Sequence, residues 1–417
     1  MLLAIVAAGC ATATSSTPVG DATGRAEPAP SRETPAAREA RARTKLGWEA
    51  IAQGEPGAAT VPLREAIRLD PELLEARQAL GFALQNMGDL DGAVDEYRSL
   101  LRLRPDAVGV RYFLATALMA KQDWSSARRE LEEVVRLRPE IISGHYSLGF
   151  VRYTLGDPDG AIQSFRRVIA LSPDHADARY NLALVLKVTH RDIEAMPEFL
   201  AAARSGHARA QYFVGTAYAR GSGVEADPAL AVTWWSRAAA QGSVEAAGAL
   251  AELRQTALGR GRRGAAGHQA AEQAFRDYRA TLWAEFPELA RSGDDDTVGA
   301  ALLRQGRARE AVPVLLREAS ALSEPAQELL ETLYLRGVEG QVPAHDGRIL
   351  DYFKTAADEG QPRPRIALAR CYAAGLGVPK DMPRAMSLLR ATPHEDAQRL
   401  LQELQAASEA VTAPARP

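Results

Sequence analysis

The sequence predicts an all-α solenoid of stacked helix–turn–helix units. Three observations carry this. The first is a period of 34 residues: Leu46, Leu80, Leu114, Leu148 and Leu182 recur at that interval, each followed by Gly or Ala (Gly47, Gly81, Ala115, Gly149, Ala183). The second is the spacing within each copy. An Ala follows the small residue by twelve positions (Ala59, Ala93, Ala127, Ala161, Ala195), and Pro71, Pro105, Pro139 and Pro173 close the first four copies. The third is the residue chemistry. Gly costs about 1 kcal/mol relative to Ala inside a helix, so it belongs where a second helix presses close, while Pro removes a backbone donor and marks helix ends. One such helix pair cannot bury its own apolar face, so copies must stack. A stack offers a long groove rather than a deep pocket, which places binding ahead of catalysis.

Over residues 40–209 these positions resemble five tetratricopeptide repeats. The resemblance implies that the small residue faces a neighbouring helix and that Tyr97, Phe165 and Phe199 fill the large apolar site of the second helix. One departure is systematic. The fourth position of each copy, often Trp in the family, is Arg43, Arg77, Arg111, His145 and Arg179.

Residues 210–254 change type. Tyr218, Gly221-Ser222-Gly223-Val224, Asp227, Ala231 and Trp234-Trp235 resemble a Sel1-like repeat. The pattern returns as Tyr372, Gly375-Leu376-Gly377-Val378, Asp381 and Ala385, with a weaker copy from Leu333-Tyr334 to Gly360. The glycines suit a turn that needs positive φ. Residues 255–296 read as a linker and irregular helix. Gly259, Gly261, Gly264 and Gly267 lie among Arg260, Arg262 and Arg263, so a hinge between two solenoid segments is expected near 255–267. Phe275, Tyr278, Leu282 and Phe286 then step as an amphipathic helix. Residues 297–391 hold a degenerate tetratricopeptide unit and two Sel1-like copies, and 392–417 a capping helix and a tail.

At the N-terminus, Met1 to Gly9 form an apolar run that ends in Ala7-Ala8-Gly9-Cys10. This resembles the lipobox of bacterial lipoproteins, which implies a signal over residues 1–9 and acylation of Cys10. Residues 10–39, rich in Ala, Thr, Ser and Pro, read as a disordered tether. The expected location is therefore the cell envelope, lipid-anchored, with a preference for the periplasmic side of the outer membrane because Ala11 rather than Asp follows the Cys.

Composition narrows the function classes. With a net charge of −3, no global basic field invites nucleic acid. Only Cys10 and Cys371 exist, so no disulfide is expected in a lipidated chain. None of the seven His has paired ligand spacing; most fall in turns or on polar faces, so solvated His is expected. Gly259 to Gly264 matches the dinucleotide fingerprint only formally, since no strand precedes it. Asp294-Asp295-Asp296 lacks the alternation of a calcium loop. No cofactor, metal, nucleic acid or small-molecule substrate is expected, and no enzyme.

The resemblance implies that the first helix of each unit lines the concave face. Along it run Trp48, Phe82, Tyr112, Tyr146, Phe150, Tyr153 and Tyr180, the candidate partner-binding residues. The Lys and Asn clamp of chaperone-binding relatives is absent. The expected function is a non-enzymatic scaffold that binds a protein or extended peptide. Alternatives are a subunit of an envelope export or assembly machine, of the exopolysaccharide-secretion or pilus type, a cytosolic regulatory adaptor, and an enzyme whose solenoid only delivers substrate.

Overall fold

The structure is a computed structural model, and it describes residues 34–260, 264–293 and 296–412. The expected signal, Cys10 and most of the expected tether lie outside these residues. Among the described residues the chain forms twenty-one α-helices and no strand. It divides into two compact units, the first ending at Glu198 and the second beginning at Phe199.

The first unit is built from antiparallel pairs: α1 (Pro35–Ala52) with α2 (Pro56–Leu69), α3 (Leu74–Asn86) with α4 (Leu90–Leu103), α5 (Val108–Ala120) with α6 (Trp124–Leu137), and α7 (Ile142–Thr154) with α8 (Pro158–Leu171). They are followed by α9 (Ala176–Val188) and α10 (Asp192–Arg204), within which the division between the two units falls. Residues 35–39, expected in the tether, are instead the first turn of α1. Thr34 caps it by accepting from the Ala37 N–H, and Pro35 sits at the first helical position where its missing N–H costs nothing.

Local chemistry repeats with the period. Asp89, Asp123 and Asp157 cap the second helices by accepting from Gly92, Ser126 and Gly160 N–H. The turn before each second helix needs a left-handed residue. Gly54, Gly88 and Gly156 supply it, whereas Gln122 and His190 adopt φ of 61° and 58° at the same register. The core is small-against-large. A Cβ on Gly81 would lie 2.6 Å from the Tyr97 ring, and one on Gly149 would lie 2.9 Å from Phe165. Tyr97 and Phe165 are buried. The small residue therefore sets the close approach of the two helices in a pair.

The fourth-position residue takes over a structural task. Arg77, Arg111 and Arg179 each donate to the carbonyl of the Pro six residues earlier (Pro71, Pro105, Pro173). Each also reaches a carboxylate nineteen residues on, at Glu96, Glu130 and Glu198. In the fourth copy the pair is replaced together. His145 bonds only the Pro139 carbonyl, at 3.0 Å, and Ser164 stands where the others have Glu.

The second unit contains the Sel1-type turn twice in the same geometry. α11 (Ala208–Arg220) ends at Gly221 and α19 (Pro362–Ala374) at Gly375, both left-handed. Asp227 N–H then donates to the Tyr218 carbonyl and Asp381 N–H to that of Tyr372. Trp234 and Trp235 of α12 (Pro228–Ala240) are buried, with Trp235 against Gly215. Beyond lie α13 (Val244–Ala257), α14 (Ala265–Leu282), α15 (Val298–Arg304), α16 (Ala308–Ser320), α17 (Glu324–Arg336), α18 (Gly347–Asp358), α20 (Met382–Arg390) and α21 (Glu395–Thr412). A continuous core runs through them from Ala231 to Ala397.

This corrects the expected hinge. The chain divides after Glu198, not at 255–267, and residues 255–257 complete α13. Arg254 forms a bidentate pair with Glu359, with one contact of 2.7 Å, and Gln255 and Arg260 donate to the Glu359 carbonyl. The described part of the basic segment thus closes the C-terminal end of α18, where orphan carbonyls need donors.

Candidate partner-binding surface

Successive first helices of the first unit approach one another directly, α1 with α3 and α3 with α5, so they form the inner row. Aromatic contacts run along it. Trp48 of α1 lies 6.0 Å from Phe82 of α3, and Phe82 lies 6.1 Å from Phe113 of α5. Phe150 of α7 is edge-on to Trp124 at 5.8 Å. Trp48 is 39% exposed, and Phe82, Phe150 and Tyr153 are half-buried. These four present usable aromatic surface.

The three tyrosines differ from the expectation of a free ladder. Tyr180 is only 9% exposed and belongs to the packed interior, because its ring is covered within the stack. Tyr112 and Tyr146 are half-buried and stitch one unit to the next. The Tyr112 hydroxyl lies 3.4 Å from that of Ser147, and Asn181 Nδ2 donates to the Tyr146 hydroxyl at 2.8 Å. Tyr146 also stacks on His175 at 5.3 Å and meets Phe165 edge-on at 5.8 Å. Sequence position placed them on the first helices. It missed that the Tyr112 and Tyr146 hydroxyls meet the adjacent helix and that Tyr180 is buried.

Polar groups interrupt the aromatic row at intervals. Gln85 of α3 donates to Thr116 of α5 at 3.2 Å and accepts from the Tyr97 hydroxyl at 3.2 Å. Burial pushes the Tyr97 phenol far above its usual range. Formal charge is nearly absent from the middle of the row. Arg77 and Arg111 are tied to Glu96 and Glu130, and Arg152 to Glu132 at 3.3 Å. The second helices, by contrast, expose Arg98 and Arg129.

Other groups have structural partners. His175 and His207, expected to be solvated, cap helices by accepting from Ala178 and Ala210 N–H through Nδ1. Cys371 is buried, and burial pushes its thiol up to about 11. Among the described residues no group of three or more His, Cys, Asp or Glu converges to hold a metal ion, and no helix is long and apolar enough to cross a membrane. In the second unit a cleft of about 280 Å³ opens beside Leu250, Phe275, Tyr278 and Leu316. It falls below the roughly 300–1,000 Å³ of ordinary ligand pockets. The guanidiniums at its wall, Arg254 and Arg317, are already paired with Glu359 and Glu285.

Fold and surface together define a helical-repeat interaction scaffold. Family models agree on the repeats: Sel1 repeat over residues 208–243 and 365–391, tetratricopeptide repeat over 87–141, and TPR repeat over 151–187. Among solved structures, the chain is similar to pilF of Pseudomonas aeruginosa, at 23% identity over 52% of this chain and 100% of that one, with a TM-score of 0.44. It is similar to MamA from Desulfovibrio magneticus RS-1, at 22% identity over 39% and 93%, with a TM-score of 0.38. It is also similar to YrrB, described as a TPR protein with an unusual peptide-binding site, at 24% identity over 45% and 96%, with a TM-score of 0.37. The comparison with curated proteins finds no match.

Proposed function

We propose that this chain is a non-enzymatic scaffold held at the cell envelope by acylated Cys10, and that it captures a polypeptide partner on the first-helix row of its tetratricopeptide block. The observation that carries the reading is the contrast between the faces of the first unit. The inner row presents Trp48, Phe82, Phe150 and Tyr153, and its middle helices α5 and α7 carry Arg111 and Arg152 as their formal charges, both paired with Glu, while the second helices α4 and α6 expose Arg98 and Arg129. Aromatic side chains bury large area for few rotatable bonds and so make good anchors. The Ala-Ala-Gly-Cys sequence supports the anchor. A single acyl chain holds a protein only marginally, so several chains on one Cys would be needed for stable attachment. An envelope location fits a subunit of an export or assembly machine.

The test is site-specific photocrosslinking in intact cells. A photoreactive residue at Trp48, Phe82 or Tyr153 is expected to trap a discrete partner. The same residue at Arg98 or Arg129 is expected to trap none. Equal adducts from both faces, or adducts from the second helices alone, would move the binding surface elsewhere.

A further inference from the structure

We infer that the open N-terminal edge of the first unit, the outer face of α1, docks on a lipid surface that carries anionic headgroups. The inference rests on the acylated Cys10 of the reading above and adds a second membrane contact to that anchor.

Equivalent positions meet different surroundings at the end of the stack. Leu80, Leu114, Leu148 and Leu182 are each 2% exposed, because a preceding helix pair packs over them. Leu46 has no preceding pair among the described residues and is 52% exposed. Four residues before each Leu the contrast recurs: Ala76, Val110 and Ala178 are buried and Ala42 is exposed. Three residues after it, Ala83, Ala117, Val151 and Val185 are buried, and α1 carries Glu49 there instead. Ala40, Thr44 and Gly47 turn the opposite face of α1 into the unit. The end of a helical array needs a polar outer face to stay soluble. This end retains an apolar strip, Ala42 and Leu46, among charged residues.

Charge selects what covers the strip. α1 has 18 residues, against 13 in each of α3, α5, α7 and α9. Its added first turn brings Arg38 onto the stripe of Ala42, Lys45, Leu46 and Glu49, which step by three and four. Over its length α1 carries Arg38, Arg41, Arg43 and Lys45 against Glu39 and Glu49; four cations less two carboxylates leave +2, in a chain whose net charge is −3. Arg43 engages Glu39 at 2.8 Å, and Glu49 lies 3.8 Å from Lys45. The next carboxylate, Glu55, follows in the turn before α2. Arg38, Arg41 and Lys45 are exposed. Such side chains lay their stems along apolar surface and hold their charges at the level of lipid phosphates. An apolar strip flanked by cations is the pattern of a helix that lies in a membrane interface. A second copy of this face would set +2 against +2. Position agrees with charge. Residues 11–33 span at most about 80 Å when fully extended, and α1 is the first described helix after them. An anchor at Cys10 therefore confines α1 near lipid, so docking needs far less affinity than capture from solution.

The experiment places the full acylated chain in vesicles of phosphatidylethanolamine and phosphatidylglycerol. Ala42→Cys carries a fluorophore, and lipids spin-labelled at the headgroup act as quenchers. Cys371 is 1% exposed and escapes labelling in the folded chain. The label at Ala42→Cys is expected to be quenched, and the same label at Arg129→Cys on α6 is expected to stay bright. Phosphatidylcholine in place of phosphatidylglycerol is expected to release the quenching. Arg38→Gln, Arg41→Gln and Lys45→Gln together are expected to do the same, since each cation near an anionic surface is worth about fivefold and the three about a hundredfold. Trp48 is left intact because it also lies on the inner row, and circular dichroism checks that the variants remain folded. Quenching that survives loss of the three cations overturns the proposal. A bright label at Ala42→Cys in chains that stay on the vesicles also overturns the docking, and the anchor stands. Ala42→Cys chains that link to one another through a disulfide assign the edge to a second copy, which overturns it too. A mature chain without acyl mass on Cys10 and free of the vesicles removes the anchor, and the docking falls with it.

Discussion

The Arg111 guanidinium lies 2.7 Å from the Glu130 carboxylate and donates to the Pro105 carbonyl at 2.9 Å, which locks the start of a first helix to its own second helix and to the turn before it. The two side chains are 19% and 25% exposed, so solvent screens the pair only in part. Arg111→Met is expected to lower unfolding free energy by about 1.5–3 kcal/mol, the range for hydrogen bonds to charged groups. A double-mutant cycle with Glu130→Gln, measured by urea denaturation, should return a coupling near 1 kcal/mol. A cycle that closes at zero would reduce this pair to surface decoration.

Gly81 meets Tyr97 and has no room for a Cβ. Gly81→Ala improves helix propensity by about 1 kcal/mol and should still destabilise, because overpacking costs about 1–3 kcal/mol. Tyr97→Leu in the Gly81→Ala background should recover part of the loss. Calorimetric midpoints of the three variants decide the matter. A stabilised Gly81→Ala would show that the helices can part freely.

Gln122 and His190 hold left-handed backbone where their counterparts are glycine. That conformation costs an L-residue about 1–2 kcal/mol. Gln122→Gly should therefore raise the thermal midpoint, although Gly elsewhere in a chain usually lowers it. A fall in the midpoint would mean that the Gln122 side chain contributes more than its strain.

Glu318 supplies the pH dependence. Its side chain on α16 is buried and accepts from Val298 and Gly299 N–H at 2.7 and 3.1 Å. Burial outweighs those bonds and nearby Arg317 and Arg279, and pushes the carboxyl from 4.5 up to about 7. A folded value above the unfolded one gives stability that is complete below pH 4.5 and is lost as pH rises through about 7. The contribution is on the order of 3 kcal/mol. Glu318→Gln should start less stable, since one carbonyl cannot serve both N–H groups, yet lose this slope. Urea midpoints from pH 4.5 to 8 test it, and an unchanged slope in the variant would assign the titration to another group.

Trypsin probes the Arg254–Glu359 pair. Arg254 is 11% exposed at its side chain and held by two hydrogen bonds. Native digestion should spare the bond after Arg254, and Glu359→Ala should open it to cleavage. Early cutting at Arg254 in the wild type would restore the expected hinge.

The period of 34 residues, the Gly–aromatic pairing and the Sel1-type turns were legible because each is a local constraint repeated many times, so errors at one copy are outvoted by the others. The inner row was legible as a face for the same reason, through helical periodicity. Which of its members are open was not. Tyr112, Tyr146 and Tyr180 occupy equivalent positions, but two stitch units through Ser147 and Asn181 and the third is buried.

The sequence by itself determined the helical class, the unit boundaries near each turn and the side of each helix that meets a neighbour, since propensity, capping and amphipathic spacing act within a few residues. Tertiary structure alone decided the rest. The partners of Arg111 are six residues behind and nineteen ahead, and Arg254 meets Glu359 more than a hundred residues away. A Gly- and Arg-rich stretch reads as a linker when taken alone. Its described residues Gln255 and Arg260 cap a helix only once α18 brings the Glu359 carbonyl within reach, because hydrogen bonds depend on distance in space and not on separation along the chain.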